Sequence, residues 1–240
     1  MSGRDELFRE RRETSDFRFN SEVSEVFDDM VRRSVPFYDL AQDLMVEIVR
    51  RRVEPGSTIY DLGCATGTTL LLLANALGRP RPRLVGVDSS ADMLDQARAK
   101  LGAAGHDDVE LALGDLLDLD YEETGCFVLS LTLQFVRPPD RPGLLRQLHS
   151  RLRPGGLLLL VEKVIDESPG FRRLYVDIHQ AFKAAHGYSE LEVAQKREAL
   201  ENVLVPYTAT ENTRMLAEAG FSEVSLLFKG LNFAAWAATR

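Results

Sequence analysis

Cysteine is nearly absent. Cys64 and Cys126 are the only two in 240 residues, and neither lies in a CxxC pair or a Cys/His cluster. A disulfide framework and a zinc site are thereby disfavoured, and a reducing compartment is expected. Long apolar runs are missing too: nothing approaches the roughly 20 residues that span a bilayer, and the charged opening stretch holds no signal-peptide core. The expected location is cytoplasmic, with no membrane partner. An excess of positive charge is the third absence. Lys and Arg number 29 against 37 Asp and Glu, giving a formal net charge of -8. Such a surface repels phosphate backbones, which weighs against nucleic acid as a direct partner.

What is present is a substantial apolar fraction, 45% of residues, enough for one well-buried domain over 1–240. From Ser57 onward, apolar strand-like runs alternate with amphipathic helical runs, the pattern of a parallel sheet covered on both faces. Strands are expected at 58–62, 83–88, 109–113, 126–131 and 157–164, with helices at 68–77, 91–101 and 141–153. The last of these should stop at Pro154-Gly155-Gly156. Positions 1–55 give an N-terminal helical layer, helical over 22–53 and broken at Pro36. Positions 166–207 break the alternation and read as an insertion of two charged helices separated by His186-Gly187-Tyr188. A closing helix at 210–219 and strand-like runs at 224–228 and 232–237 complete a mostly parallel, seven-stranded sheet with an antiparallel C-terminal strand.

The chemistry gathers at the strand ends. The first strand ends in Asp61, followed by Gly63-x-x-x-Gly67 and a helix, where missing side chains let backbone N–H groups approach a ligand. The spacing differs from the GxGxxG of dinucleotide binders, and the terminal acid suits an amino-acid ammonium better than a pyrophosphate. Asp88, ending the second strand, can accept both ribose hydroxyls. It could instead cap the helix starting at Ala91, in competition with Ser89 and Ser90. After the third strand, Asp115 in Gly114-Asp115-Leu116 is placed to accept from an adenine amino group. Three acids at three successive strand ends of one sheet edge describe an S-adenosylmethionine site on a Rossmann-like class I methyltransferase fold, in the α/β class. The leucine run 70–73 reads as core packing. Arg9, Arg11 and Arg12, interrupted by glutamate, read as a solvated terminus.

A narrower resemblance comes from stretches outside that shared fold. Arg4-Asp5-Glu6-Leu7-Phe8, Val26-Phe27-Asp28-Asp29-Met30, Arg33-Ser34-Val35-Pro36, Leu131-Thr132-Leu133-Gln134-Phe135, Gly187-Tyr188-Ser189-Glu190-Leu191-Glu192 and Gln195-Lys196-Arg197-Glu198-Ala199-Leu200-Glu201-Asn202 together resemble the carboxy-S-adenosyl-L-methionine synthases. The resemblance spans nearly the whole chain, the insertion included. It implies that S-adenosyl-L-methionine is a substrate, carboxylated at its methyl to carboxy-S-adenosyl-L-methionine. Prephenate is the implied co-substrate, with phenylpyruvate and water as further products and no metal. The product would serve 5-oxyacetyl modification of the tRNA wobble uridine, installed by a separate enzyme.

By position, the resemblance implies ligand contacts at Tyr38, Gly63, Cys64, Ala65, Asp88, Ser89, Asp115, Leu116, Ser130 and Arg197. Arg197 is the implied catalytic residue, meeting the added carboxylate, with the neighbouring subunit of a homodimer as the expected recipient. Read from its own helix, Arg197 could instead pair with Glu201. The implied mechanism needs no dedicated protein base: prephenate, on losing carbon dioxide and its hydroxyl, supplies the base that forms a sulfonium ylide, which captures the carbon dioxide. Lys163, Lys183, Arg172 and His179 are all candidates for holding the prephenate dianion. The chain departs from the family pattern with Ser130 for asparagine and Ala65 for serine. It also has Val161-Glu162-Lys163-Val164 for Ser-Glu-Lys-Phe, and Gly230-Leu231 for Cys-Phe. The competing readings are a conventional methyltransferase acting on tRNA or a small acidic acceptor, and a non-catalytic module that retains S-adenosylmethionine.

Overall fold

The computed structural model describes residues 3–11 and 16–240; Arg12, from the expected solvated terminus, lies outside the described residues. The N-terminal layer holds α1 (Ser21–Ser34) and α2 (Tyr38–Arg52). Asn20 starts α1 by accepting from the Val23 N–H at 3.2 Å, satisfying a donor that the first turn leaves open. The alternating region gives β1 (Thr58–Leu62), α3 (Thr68–Ala76), β2 (Arg83–Asp88), α4 (Ala91–Ala103), β3 (Glu110–Leu113), β4 (Thr124–Ser130), α5 (Arg141–Arg151) and β5 (Leu152–Ile165). The insertion carries α6 (Pro169–Ala185) and α7 (Glu190–Leu200). Last come β6 (Tyr207–Thr208), α8 (Ala209–Glu218), β7 (Glu223–Gly230) and β8 (Phe233–Thr239).

The sheet order is β3-β2-β1-β4-β5-β8-β7, with the two-residue β6 paired to β5. β1 to β5 run parallel, and β8 lies antiparallel between β5 and β7. The sequence expectation missed β6, which is too short to show a period. It also started β5 late. β5 begins at Leu152, before Pro154-Gly155-Gly156, because the register with β4 shifts between Thr124 and Cys126 and asks no ladder bond of the proline there.

Period two divides the side chains of the central strands between two cores. Tyr60, Leu62, Phe127, Leu129, Leu158 and Leu160 face α5 and α8, packing with Leu144, Leu148 and Leu216. Ile59, Cys126, Val128, Leu157 and Leu159 face the other way, onto Met45, Val49, Leu70, Leu73 and Leu94 of α2, α3 and α4. Leu70 and Leu73 are fully buried, which makes the leucine run a packing surface. A third cluster sets Phe17, Val23 and Met30 against Met93 of α4 and Ala199 of α7. This cluster holds the N-terminal layer and the insertion over the carboxyl ends of the strands. The strand order reverses between β1 and β4, the place where open α/β sheets form a ligand crevice. Among the described residues, no helix is long and apolar enough to cross a membrane.

Candidate active site

A cavity of about 430 Å³ opens at that reversal. The loop after β1 forms its floor. Gly63 and Gly67 adopt φ of 72° and 73°, and a Cβ on Gly63 would come within 2.5 Å of the Thr132 side chain. Only glycine fits there without displacing the β4 end. The Gly63 and Cys64 N–H groups donate to Val87 O at 2.8 and 3.0 Å, tying the loop to β2. Ala65 and Leu131, both lining the cavity, take left-handed φ of 46° and 61°. Such strain persists only where surroundings over-determine the backbone, and it concentrates at ligand sites. In Ala65 the conformation turns the N–H onto Asp88 Oδ2 at 2.9 Å.

The loop is also pinned from outside. Asp28 of α1 accepts from Thr66 at 2.6 Å and Thr68 at 3.2 Å and pairs with Lys100 of α4 at 2.6 Å. Burial would raise the Asp28 carboxyl, but these donors outweigh it and hold the pKa below its ordinary value.

Three carboxylates line one side. Asp61 is buried, and its Oδ2 has no hydrogen-bond partner among the described residues. Burial, with the nearby Asp88 charge, pushes Asp61 up to about 7. Asp88 is half-buried and raised by burial, against hydrogen bonds from Ser90 and Ala65. The capping alternative for Asp88 falls to Ser90, whose Oγ accepts from the Met93 N–H at 3.2 Å. Asp88 Oδ1 instead accepts from the Ser90 N–H at 2.9 Å, so each Asp88 oxygen keeps a lone pair for a ligand. Asp115 is exposed, with Oδ1 on the Leu117 N–H at 2.9 Å.

Of the positions the resemblance implied, Tyr38, Gly63, Cys64, Ala65, Asp88, Ser89, Asp115, Leu116 and Ser130 all line this cavity. Arg197 does not. It lies exposed on α7 and, among the described residues, makes no ion pair with Glu201. The Cys64 thiol is raised by burial and stays neutral.

The opposite side is cationic and comes from β5 and the insertion. Lys163, Lys183, Lys196 and His179 line it. Arg172, a sequence candidate, is exposed and bonds to the Asp166 carbonyl at 2.9 Å instead. His179 donates from Nε2 to Ser34 O at 2.7 Å and accepts at Nδ1 from Asn232 at 3.0 Å, and burial pushes it down to about 3. Both nitrogens are occupied, so it is neutral. Sequence reasoning missed Lys196, which sits beside Arg197 and reaches Ser34 Oγ at 3.1 Å and Asp5 at 3.5 Å. It also missed the aromatic wall of Phe17, Phe19 and Phe135, whose rings meet edge-on with centroids 5.2 Å apart. No periodic signal marks either feature, since the groups meet only through tertiary packing.

These features fit S-adenosyl-L-methionine. The unpartnered Asp61 oxygen suits its ammonium, the free lone pairs of Asp88 suit its ribose, and the aromatic wall suits apolar parts. Among the described residues, no cluster of His, Cys, Asp or Glu could hold a metal ion.

Comparison with known proteins agrees with this geometry. Residues 59–156 match a family model described as a methyltransferase domain. The S-adenosylmethionine-dependent methyltransferase from Aquifex aeolicus superposes with a TM-score of 0.62 at 17% identity, covering 92% of this chain and 99% of that one. That likeness concerns the fold. The carboxy-S-adenosyl-L-methionine synthase of Wolinella succinogenes is 44% identical, covering 99% of this chain and 98% of that protein. The synthase of Methylococcus capsulatus is 48% identical, covering 96% of each chain. With such identity over almost the full length of both sequences, this chain belongs to the carboxy-S-adenosyl-L-methionine synthase family of S-adenosylmethionine-using enzymes.

Proposed function

We propose that this protein carboxylates S-adenosyl-L-methionine at its methyl group, with prephenate as the source of carbon dioxide and with phenylpyruvate and water as the other products. The observation that carries the reading is the charge lining of one cavity, with Asp61, Asp88 and Asp115 from the ends of β1, β2 and β3 and Lys163, Lys183 and Lys196 from β5, α6 and α7. A cationic amino-acid nucleoside suits the acids and a dicarboxylate the lysines.

In this reading the chain's residues bind, orient and exclude water. Asp61 takes the ammonium, Asp88 the ribose hydroxyls and Asp115 the adenine amino group. The left-handed loop around Ala65 fixes the methionyl arm, and Phe17, Phe19 and Phe135 keep bulk water from the sulfonium. Prephenate brings both the carbon dioxide and, in its departing hydroxyl, the base. His179, held neutral with both nitrogens engaged, is not needed for proton transfer. Catalysis then rests on proximity and on charge placement.

A homodimer belongs to the same proposal. Arg197, exposed on α7, would hold the new carboxylate in the neighbouring subunit's site. The exposed Phe171, Leu174 and Ile178 on one face of α6 support a second copy of the chain beside the insertion. The product's use in tRNA wobble-uridine modification, and a cytoplasmic setting in keeping with two free thiols, complete it. Mass spectrometry of the nucleoside recovered after incubation with S-adenosyl-L-methionine and prephenate tests the reading. The expected species carries a carboxyl group in place of a methyl hydrogen. Unmodified S-adenosyl-L-methionine alone would overturn it.

A further inference from the structure

The cationic side of the cavity is not uniform. His179 is neutral and fully hydrogen-bonded, and Lys196 is committed to Ser34 and Asp5. Lys163 and Lys183 differ from both. Among the described residues, neither ammonium has a hydrogen bond or an ion pair, although both face the cavity. Their positions are fixed by the fold. The Lys163 backbone N–H donates to Gln134 Oε1 at 2.9 Å, and Gln134 is itself anchored to the Leu131 carbonyl at 3.2 Å. Lys183 sits in the last turn of α6, whose only buried residue is the hydrogen-bonded His179.

Removal from water lowers both lysines, and the neighbouring Lys196, Lys163 and Arg197 push Lys183 further, to about 7. Two sheltered, unpaired, mutually repelling cations are a cost to the empty fold. A ligand that brings two negative charges removes that cost.

We propose that Lys163 and Lys183 together form the receptor for the co-substrate's carboxylates, and that the site is built for a dianion. This deepens the reading above and rests on it, because it names the groups that grip the carboxyl donor. Lysine suits the task. Its ammonium is a mobile point charge on a flexible stem, able to follow a carboxylate as the donor changes shape, whereas a guanidinium imposes a fixed fork. The dianion is thereby held across the cavity from Asp61 and Asp88, which hold the cation.

The experiment titrates prephenate, and glutarate as an unreactive dianion, into protein loaded with S-adenosylhomocysteine, which has no methyl to carboxylate. Lys163→Met and Lys183→Met are each expected to weaken both dianions by about tenfold or more, and the double variant to abolish measurable binding. Lys→Arg at either position should restore most of the affinity. S-adenosylhomocysteine affinity should change by no more than about twofold, since the two ligands have separate partners. Melting of the unliganded Met variants should rise or hold steady, because each removes an unpaired sheltered charge; this separates lost recognition from lost folding. Unchanged dianion affinity in the double variant would overturn the proposal, as would a parallel fall in S-adenosylhomocysteine affinity. The outcome is separable from the proposed function. A wild-type protein that binds dianions through these lysines yet makes no carboxylated product overturns the reaction only. Product formed with lysine-independent binding overturns the lysines only.

Discussion

Asp61, next to last in β1, and Asp88, last in β2, lie at the carboxyl ends of two adjacent parallel strands and face one cavity, and the Asp88 charge adds to burial in raising Asp61 to about 7. Asp88 spends one lone pair of each oxygen on backbone N–H groups, whereas the Asp61 Oδ2 has no partner among the described residues. The two acids therefore differ in what they suit: the unpartnered Asp61 oxygen a buried cation, the half-satisfied Asp88 oxygens a pair of hydroxyls.

The raised Asp61 carboxyl is expected to make binding of an ammonium ligand proton-linked. Its folded value of about 7 lies above the ordinary 3.8. Below 3.8 the group is protonated in both the folded and unfolded chain. As pH rises from there, the unfolded chain releases its proton first, so stability from this group declines until the folded pKa is passed and stays low beyond it. A bound ammonium favours the carboxylate and reverses the preference. Around pH 6, S-adenosyl-L-methionine binding should release close to one proton per site, with affinity rising toward pH 8. Calorimetry in buffers of different ionisation enthalpy measures the release. Asp61→Asn should abolish it, weaken the ligand and raise the melting temperature of the empty protein. The same proton release in that variant would remove Asp61 from the ammonium site.

Asp88→Ala should weaken S-adenosyl-L-methionine, S-adenosylhomocysteine and the carboxylated product alike, by roughly 1–3 kcal/mol, because all three share the ribose. The three affinities, measured on one folded preparation, decide it. Unequal losses would mean that Asp88 acts through the Ala65 loop, whose N–H it also holds.

The acidic lining of the cavity was legible in the sequence because each acid sits at or just beyond the carboxyl end of a strand, and strand ends can be read from local hydrophobic runs. The parallel core was legible for the same reason: β1 and β2 fall at their expected residues. The cationic side was not. Lys163, Lys183 and Lys196 come from β5, α6 and α7, and nothing local separates them from Arg172, which faces solvent. Lys196 is held by Asp5, from the far end of the chain, through a contact with no local signature. The Tyr188 hydroxyl donates to the same Asp5 carboxylate, fastening the insertion to the N-terminal segment.

Arg141 supports the site from below. Its guanidinium is buried, donating from Nε to Val136 O at 2.9 Å and from Nη2 to Gln134 O at 3.1 Å and Val205 O at 2.7 Å. It stacks over the Tyr207 ring at 4.4 Å. Arg141→Met would remove the donor from the Val136 and Val205 carbonyls, while Gln134 O keeps the Val205 N–H, an expected loss of roughly 3 kcal/mol or more in denaturant unfolding. Arg141→Lys should recover less than half of that, because an ammonium cannot reproduce the planar fork. A variant as stable as the wild type would mean that water replaces the guanidinium.

A variant of Arg197 would test carboxyl transfer against ordinary methyl transfer. It lies outside the cavity of its own chain, exposed on α7, yet close enough to Lys183 to lower that ammonium. Cavity contacts that serve the adenosyl and methionyl parts cannot tell the carboxylated ligand from S-adenosyl-L-methionine. One guanidinium–carboxylate contact shielded from water can, with an expected selectivity of roughly 2–5 kcal/mol lost in Arg197→Ala. The ratio of the two affinities is the quantity to measure, by competition binding on folded protein, because a disturbed insertion would depress both together. Arg197→Lys should restore part of the ratio, keeping charge without the fork. If the neighbouring subunit supplies the residue, the selectivity should also fall as the protein is diluted to monomer, and mixing Arg197→Ala with Asp88→Ala protomers should rebuild one intact site per heterodimer. An unchanged ratio in Arg197→Ala would exclude the residue from carboxylate recognition and leave that task to the lysines of the opposite wall.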